Sequence, residues 1–173
     1  MAKYNFFVCK CDKNGILTSN TKKDIEEDFE GVRYQKMTGL NDFGESKLVV
    51  TEDYAEQDGV RSYVEPISDE NDVPRKNTEI KLSLVFFGKN RRVAYDNFID
   101  YISRDYTFYW DTARLKGFTF VFSNKVSISS ELFYNEKPYF IVTFTLQNIN
   151  GRTFNVDENG NKIEINNKNF IIL

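Results

Sequence analysis

The sequence predicts a mainly β protein with one α-helix: a β-sandwich or barrel-like domain with a covering helix and a projecting β-hairpin arm. Three observations lead to this prediction. Aromatic residues make up 16% of the 173 residues, many segments alternate apolar and polar side chains, and one segment has helical spacing. Aromatic and β-branched residues favour pleated, half-buried surfaces, and a period of two indicates a strand with one buried face. A chain of this length can bury a full core, so we predict one domain over residues 1–173.

The N-terminal part of the chain contains short predicted strands and turns. Residues 4–11, YNFFVCKC, form the first predicted strand, and DKNG after it favours a tight turn across which ILTSN pairs back. In residues 21–31 the apolar Ile25 and Phe29 are four positions apart, so a short helix closed by Gly31 and an ordered loop are equally compatible. Residues 32–37 and 47–50 are predicted as two further short strands.

The C-terminal part has the clearest periodicity. Residues 78–87, TEIKLSLVFF, alternate as a half-buried strand, and GKNRRVAYDNFIDYIS predicts a helix of about three turns with Asn90 as its N-cap. Strand-like segments then follow in YTFYWD, GFTFVFS, VSISSELFY and PYFIVTFTLQNI. A second turn, DENGN, precedes the apolar segment NFIIL, which we expect to dock or pair.

Two polar segments interrupt this pattern. Residues 38–63 are predicted to be an extended arm, bent at glycines and rich in acids, and residues 66–77, PISDENDVPRKN, a mobile loop. The arm carries six acidic side chains: Asp42, Glu45, Glu52, Asp53, Glu56 and Asp58. A catalytic carboxyl needs an apolar pocket or a close like charge to raise its pKa. Acids on a polar loop have neither, so we expect them to be solvated.

The sequence excludes several kinds of chemistry. It contains no histidine, which excludes Ser–His and Cys–His nucleophile pairs and removes the commonest neutral metal ligand. The segment that starts at Asp157 resembles a calcium loop, but Gly160 is at position 4 and Lys168 is at position 12, where an EF-hand requires glycine at position 6 and glutamate at 12. No glycine-rich phosphate-binding motif occurs. We therefore expect no catalytic residue, metal or cofactor.

Charge, hydropathy and cysteine content limit the partners and the compartment. A net charge of −3 with a pI near 5.2 argues against nucleic acid, and no apolar run is long enough to suggest a membrane helix. Cys9 and Cys11 lie on one face of a predicted strand, about 6.5 Å apart, which is unfavourable for a disulfide. Buried, reduced cysteines and the lack of a secretory signal predict synthesis in a reducing cytoplasm.

Two further features have a structural and a functional interpretation. Arg91 and Arg92 at the start of the predicted helix could contact a phosphate or a partner, but we favour two solvated residues on its exposed face. Alternation in YTFYWD places Tyr106, Phe108 and Trp110 on one face of a strand. We expect one of its two faces to be core; the alternative is a platform that stacks on sugars through Tyr106, Tyr109 and Trp110.

The order of these elements resembles the N-terminal domain of the distal tail proteins of long-tailed bacteriophages. The resemblance rests on MTGLNDFGESKLVVTEDYAEQDGVRSY as the arm, NTEIKLSLVFFGKNRRVAYDNFIDYIS as strand and helix, and YTFYWDTARLKGFTFVFSNKVSIS as a hairpin, within residues 32–148. It implies a β-sandwich whose copies form a six-fold ring between the tail tube and the baseplate. The implied protein is a phage or prophage structural component without enzymatic activity, made in the host bacterial cytoplasm and located in the virion tail.

An apolar side chain on an extended arm needs a surface that buries it, and in a ring the neighbouring subunit supplies that surface. Six arm residues are therefore candidate oligomer contacts: Leu40, Phe43, Leu48, Val49, Val50 and Tyr54. Two alternatives remain open. The chain could be another ring-forming tail protein, of the tail-tube or tail-completion kind, or a monomeric β-sandwich module that binds carbohydrate or protein.

Overall fold

A computed structural model describes residues 3–42, 44, 49–53, 60–64 and 75–163. These residues form eleven strands and one helix. In chain order they are β1 (Phe6–Cys11), β2 (Lys23–Asp24), β3 (Val32–Thr38), β4 (Val49–Asp53), β5 (Val60–Val64), β6 (Thr78–Phe87), α1 (Arg91–Ile102), β7 (Tyr106–Asp111), β8 (Lys116–Ile128), β9 (Leu132–Tyr134), β10 (Lys137–Asn148) and β11 (Phe154–Asn155). The prediction of a mainly β protein with one helix is confirmed.

Nine of the strands form one antiparallel sheet in the order β2-β1-β7-β8-β10-β6-β3, with β9 paired to β10 and β11 to β8. Within the described residues, strands β4 and β5 pair only with each other. Two segments that we predicted as separate strands are joined in β8, which continues through a register shift opposite Thr145. At this bulge Asn124 has a φ of 59°, and the Ser123 hydroxyl donates to the Thr145 carbonyl at 2.8 Å.

The sheet curls so that its inner face encloses the main core. Alternate residues of β6 (Ile80, Leu82, Leu84, Phe86) and β10 (Phe140, Val142, Phe144, Leu146) are almost fully buried there, as their period of two predicts. The curl brings β1 against β3, and the rings of Phe6 and Tyr34 stack with centroids 4.0 Å apart. No backbone pairing joins these two strands within the described ranges, so the sheet is sandwich-like and is not a closed barrel.

Helix α1 covers the enclosed core. Ala94, Phe98 and Ile102 are its buried residues, and Phe98 packs edge-on against Phe144 with ring centroids 5.1 Å apart. Asn90 is the N-cap residue, as predicted, but its side chain makes no capping hydrogen bond. At the other end, the ammonium group of Lys10 donates to the carbonyls of Tyr101 and Arg104, which ties the last turn of the helix to β1.

A second, smaller core lies on the opposite face of β1 and β7. It contains Phe7, Cys9, Cys11, Phe108, Trp110 and Val156. Gly160 lies directly over the indole of Trp110, whose Nε1 donates to the Glu158 carbonyl at 3.2 Å. Every residue of β7 after Tyr106 is therefore buried. Our expectation that one face of YTFYWD would be core is confirmed, and the opposite face is core as well.

The predicted turns are present, and the undecided segment is resolved. Asp12 accepts hydrogen bonds from the backbone of Asn14 and Ile16, and Cys11 bridges to Leu17. The DENGN turn repeats this pattern, with the Asp157 carboxylate accepting from the backbone of Asn159 and Asn161. Residues 21–31 form β2 and an ordered turn rather than a helix.

The buried carboxylate of Asp111 supports the seam, which is the side-chain contact between β1 and β3 at Phe6 and Tyr34. Asp111 is fully buried and accepts from the Tyr109 hydroxyl at 2.9 Å and from Nη2 of Arg114 at 2.9 Å. The same Nη2 donates to the Tyr34 hydroxyl at 2.9 Å. Asp111 thus orients the arginine that links the β7–β8 turn to β3.

The Asp111→Asn variant should be less stable by about 2–3 kcal/mol, because an amide nitrogen would replace an acceptor that buried donors need. Urea unfolding measures this loss. The control is Asp100→Asn, which breaks the exposed pair with Arg104 and should cost less than about 0.5 kcal/mol. Equal losses in the two variants would show that Asp111 does not support the seam.

The cysteine thiols should react slowly in the folded protein. Both are buried and unpaired, and burial raises the pKa of the Cys11 thiol from 9.0 to about 11. Since the thiolate is the reactive form, this shift alone lowers the reactive fraction of Cys11 roughly 100-fold at pH 8. An aromatic disulfide reagent should label the protein quickly in 6 M urea and slowly in buffer; equally fast labelling in both would contradict the buried position.

Candidate assembly surface

The predicted arm contains a β-hairpin. Strands β4 and β5 pair antiparallel from Val49↔Val64 to Asp53↔Val60. Of the six candidate oligomer contacts, Val49 and Val50 lie on β4 as backbone positions. Phe43, Leu48 and Tyr54 lie outside the described residues, so their contact with another subunit stays a prediction.

Leu40 has a different environment. Its side chain is only 9% exposed and belongs to the main core of its own chain, and its carbonyl accepts from the Thr153 hydroxyl at 3.3 Å. Strand β3 also continues to Thr38. The described first residues of the predicted arm, up to Leu40, are therefore packed against the sheet.

A tight glycine junction holds the root of the arm. The Gly44 N–H donates to the Gly151 carbonyl at 2.7 Å, and a Cβ on Gly44 would lie 1.8 Å from the Lys76 carbonyl oxygen. Arg75 adds a hydrogen bond from Nη1 to the Gly44 carbonyl at 3.2 Å. Gly44 and Lys76 are thus in direct contact, so the segment between them begins and ends at one point of the structure.

The predicted mobile loop at residues 66–77 lies mostly outside the described residues. Its described end, residues 75–77, leads into β6. The junction was missed from the sequence because Gly151 is 107 residues from Gly44, and only the fold brings them together. The only indication of the junction in the sequence is that Gly44 and Gly151 each lie in a polar turn.

Among the backbone edges that the curled sheet leaves unpaired in the described residues, those of β3 and β8 are the longest. Strand β3 pairs with β6 alone in the described topology, and the pairing of β8 with β7 stops at Phe120. Beyond that point β8 continues to Ile128, with Val121, Val126 and Ile128 each more than a third exposed. Unpaired strand edges are templates for pairing with another chain, so both edges are candidate assembly surfaces.

We expected Arg91 and Arg92 to be two solvated residues: the Arg92 side chain is 61% exposed, but that of Arg91 is only 21% exposed, and both pair with Glu131. Nε of Arg91 is 3.3 Å from a carboxylate oxygen of Glu131, and Nη2 of Arg92 is 3.2 Å from the same carboxylate. The Arg92 guanidinium also lies over the Phe140 ring, 4.4 Å from its centroid. The pair therefore joins α1 to the loop after β8.

The described residues contain no cluster of three potential metal ligands among cysteines and acids. Asp42, at the start of the acidic arm, is exposed. Over the same ranges, no helix is long and apolar enough to cross a membrane. The sugar-stacking alternative also loses two of its three aromatic residues, because Tyr109 and Trp110 have no exposed surface.

Comparison with known proteins finds a similar solved structure. No family model and no curated protein matches the sequence. The structure is similar to the crystal structure of the SPP1 Dit (gp 19.1) protein, described as a paradigm of the hub adsorption apparatus in phages that infect Gram-positive bacteria, with a TM-score of 0.56 and 11% sequence identity. The match covers 89% of this chain and 53% of the Dit chain, so this chain spans about half the length of that protein.

At this identity the likeness concerns the fold alone. The chain has a phage tail-like fold, which agrees in coarse terms with the resemblance found in the sequence. The matched region includes most of the chain.

Alanine substitution of two glycines with left-handed backbone conformations tests how tightly the junction of Gly44, Lys76 and Gly151 is packed. Gly151 has a φ of 63°, and an added Cβ would lie 2.3 Å from the Lys76 carbonyl oxygen; Gly88 has a φ of 86° with nothing within 4 Å. Gly88→Ala should therefore cost only about 1–2 kcal/mol of backbone strain, whereas Gly151→Ala should cost several kcal/mol more, because backbone must move. Urea unfolding of both variants measures the difference, and equal costs would show that the junction is not tightly packed.

Proposed function

We propose that this chain is a structural component of a phage or prophage tail. Copies of the chain form a ring, most simply a hexamer, between the tail tube and the baseplate. The observation that carries the proposal is the fold, shared over 89% of the chain with a phage hub protein. The order of arm, strand, helix and hairpin in the sequence supports the same function. The protein acts by assembly and needs no catalytic group.

The surfaces of the described residues suit a ring. The two longest open edges, β3 and the second half of β8, lie on different strands, so a contact between them is head-to-tail. Head-to-tail contacts generate closed rings when the rotation between copies closes. The arm, inserted at the Gly44–Lys76 junction of one domain, supplies apolar residues for a neighbouring copy.

Tail-tube and tail-completion functions stay open, since they also require rings built from β domains. A monomeric carbohydrate module is less well supported, because the aromatic platform is core. The proposed location follows from the function: synthesis in a bacterial host, then incorporation into the virion tail together with tube and baseplate proteins.

The proposal predicts that the purified protein self-associates. Light scattering at high concentration should give a mass several times the monomer mass of 20.3 kDa, six times for a hexamer, and negative-stain micrographs should show rings. Replacing residues 45–74 by a short Gly–Ser linker should abolish assembly and preserve the near-ultraviolet circular dichroism of the aromatic core, because the two ends already meet.

Two results would count against the proposal. A protein that stays monomeric at every concentration and binds glycans would favour the binding-module alternative. Rings that persist after the deletion would show that the arm contributes nothing to assembly.

A further inference from the structure

An apolar groove opens at the far end of β6, where the strand meets α1. It has a volume of about 710 Å³ and is walled by the side chains of Val85, Phe87, Tyr134, Pro138 and Tyr139. Tyr134 is 72% exposed and Phe87 is 36% exposed. A large exposed apolar patch of this kind is typical of an interaction site. No local pattern in the sequence indicates this groove, because Tyr134 and Phe87 come from separate strands that are brought together by β10.

The charges around the groove are all positive. Lys89, Arg91 and Lys137 line it, and no acidic residue does. Arg91 is already paired with Glu131. Lys89 and Lys137 are exposed, and neither forms an ion pair with another residue in the described part of the chain. The groove therefore suits an occupant that combines apolar and acidic side chains.

The arm of the protein has this composition. Between residues 42 and 58 it contains six acids and one lysine, together with apolar residues. Within it, β4 has the sequence VVTED, two valines followed by adjacent acids. We propose that the arm of one copy binds in the apolar groove of a second copy, with acidic side chains of the arm towards Lys89 and Lys137. This inference rests on the proposed self-assembly and identifies the surface that receives the arm.

The positions of the two surfaces favour contact between copies. The arm root at Lys76 lies just before the first residue of β6, and the groove lies at its last residue, Phe87. Ten residues of strand place them roughly 30 Å apart, at opposite ends of the domain. A projection at one end and a receptor at the other form a head-to-tail contact, which is the geometry that a ring requires.

The test reverses the charges on both sides. Lys89→Glu with Lys137→Glu should weaken self-association at least tenfold in sedimentation equilibrium, while the urea midpoint stays that of the wild type because both lysines are exposed. Lys13→Glu with Lys81→Glu is the control: it changes the net charge equally at two exposed lysines outside the groove and should leave association unchanged. Adding Glu52→Lys and Asp53→Lys to the groove variant should restore assembly.

A mixing experiment separates contact between copies from contact within one chain. The variant lacking residues 45–74 keeps the groove, and the groove variant keeps the arm. Neither variant should self-associate, because one has no arm and the other has a groove that no longer binds an arm. Their mixture should form a one-to-one dimer, in which the arm of the groove variant binds in the intact groove of the deletion variant. A mixture that stays monomeric would contradict binding between copies.

The other outcomes distinguish this inference from the proposed function. If the wild type assembles and the groove variant assembles equally well, the groove is not the receptor, although the ring proposal stands. If the wild type never assembles, the ring proposal fails and the inference fails with it. Loss of assembly in the control pair as well would show a general charge effect and would overturn the assignment to the groove.

Discussion

The architecture depends on the seam between β1 and β3, which is closed by side-chain contacts without backbone pairing of the two strands in the described residues. Strands β1 and β3 end up adjacent because the sheet curls, and side chains hold them there. Phe6 stacks on Tyr34, and the Tyr34 N–H donates to the Glu26 carboxylate. Arg114 donates from the β7–β8 turn to the Tyr34 hydroxyl. An aromatic pair contributes only about 0.5–1.5 kcal/mol beyond its buried area. Asp111 is therefore important well beyond its own position, since it fixes the arginine that completes the contact.

The pair β1–β7 is the most constrained part of the sheet. Its inner face joins the main core through Val8 and Tyr109, and its outer face joins the second core through Cys9 and Trp110. The outer core is small, and it is covered by the two Asp–Asn–Gly turns: Lys162 donates from one to the Asn14 carbonyl of the other at 2.9 Å. Two turns that look alike only locally in the sequence thus meet and close the same layer.

Much of this fold could be predicted from local pattern, and the failures have a common cause. Periodicity found β6, α1 and β10, because each has one buried face whose spacing is visible in the sequence. It also found β7 as a strand, but it could not show that residues on both faces of β7 are buried. It divided β8 into two strands, because the bulge at Asn124 shifts the alternation. The arm root and the groove were also missed. Both are formed by residues far apart in the chain, which no local pattern connects.

The open seam also explains how one domain can be complete and still ready to assemble. A closed barrel has no strand edges, whereas a sheet held shut by side chains encloses its core and leaves the second half of β8 without a partner on one side; on β3, the Tyr34 N–H is bonded to the Glu26 side chain. Residues Val121 to Ile128 then carry exposed apolar groups beside free backbone groups. An edge of this kind is a template on which a strand of another chain can pair. Closure by Tyr34 and Arg114 is thus compatible with assembly in a way that closure by hydrogen-bonded strands would not be.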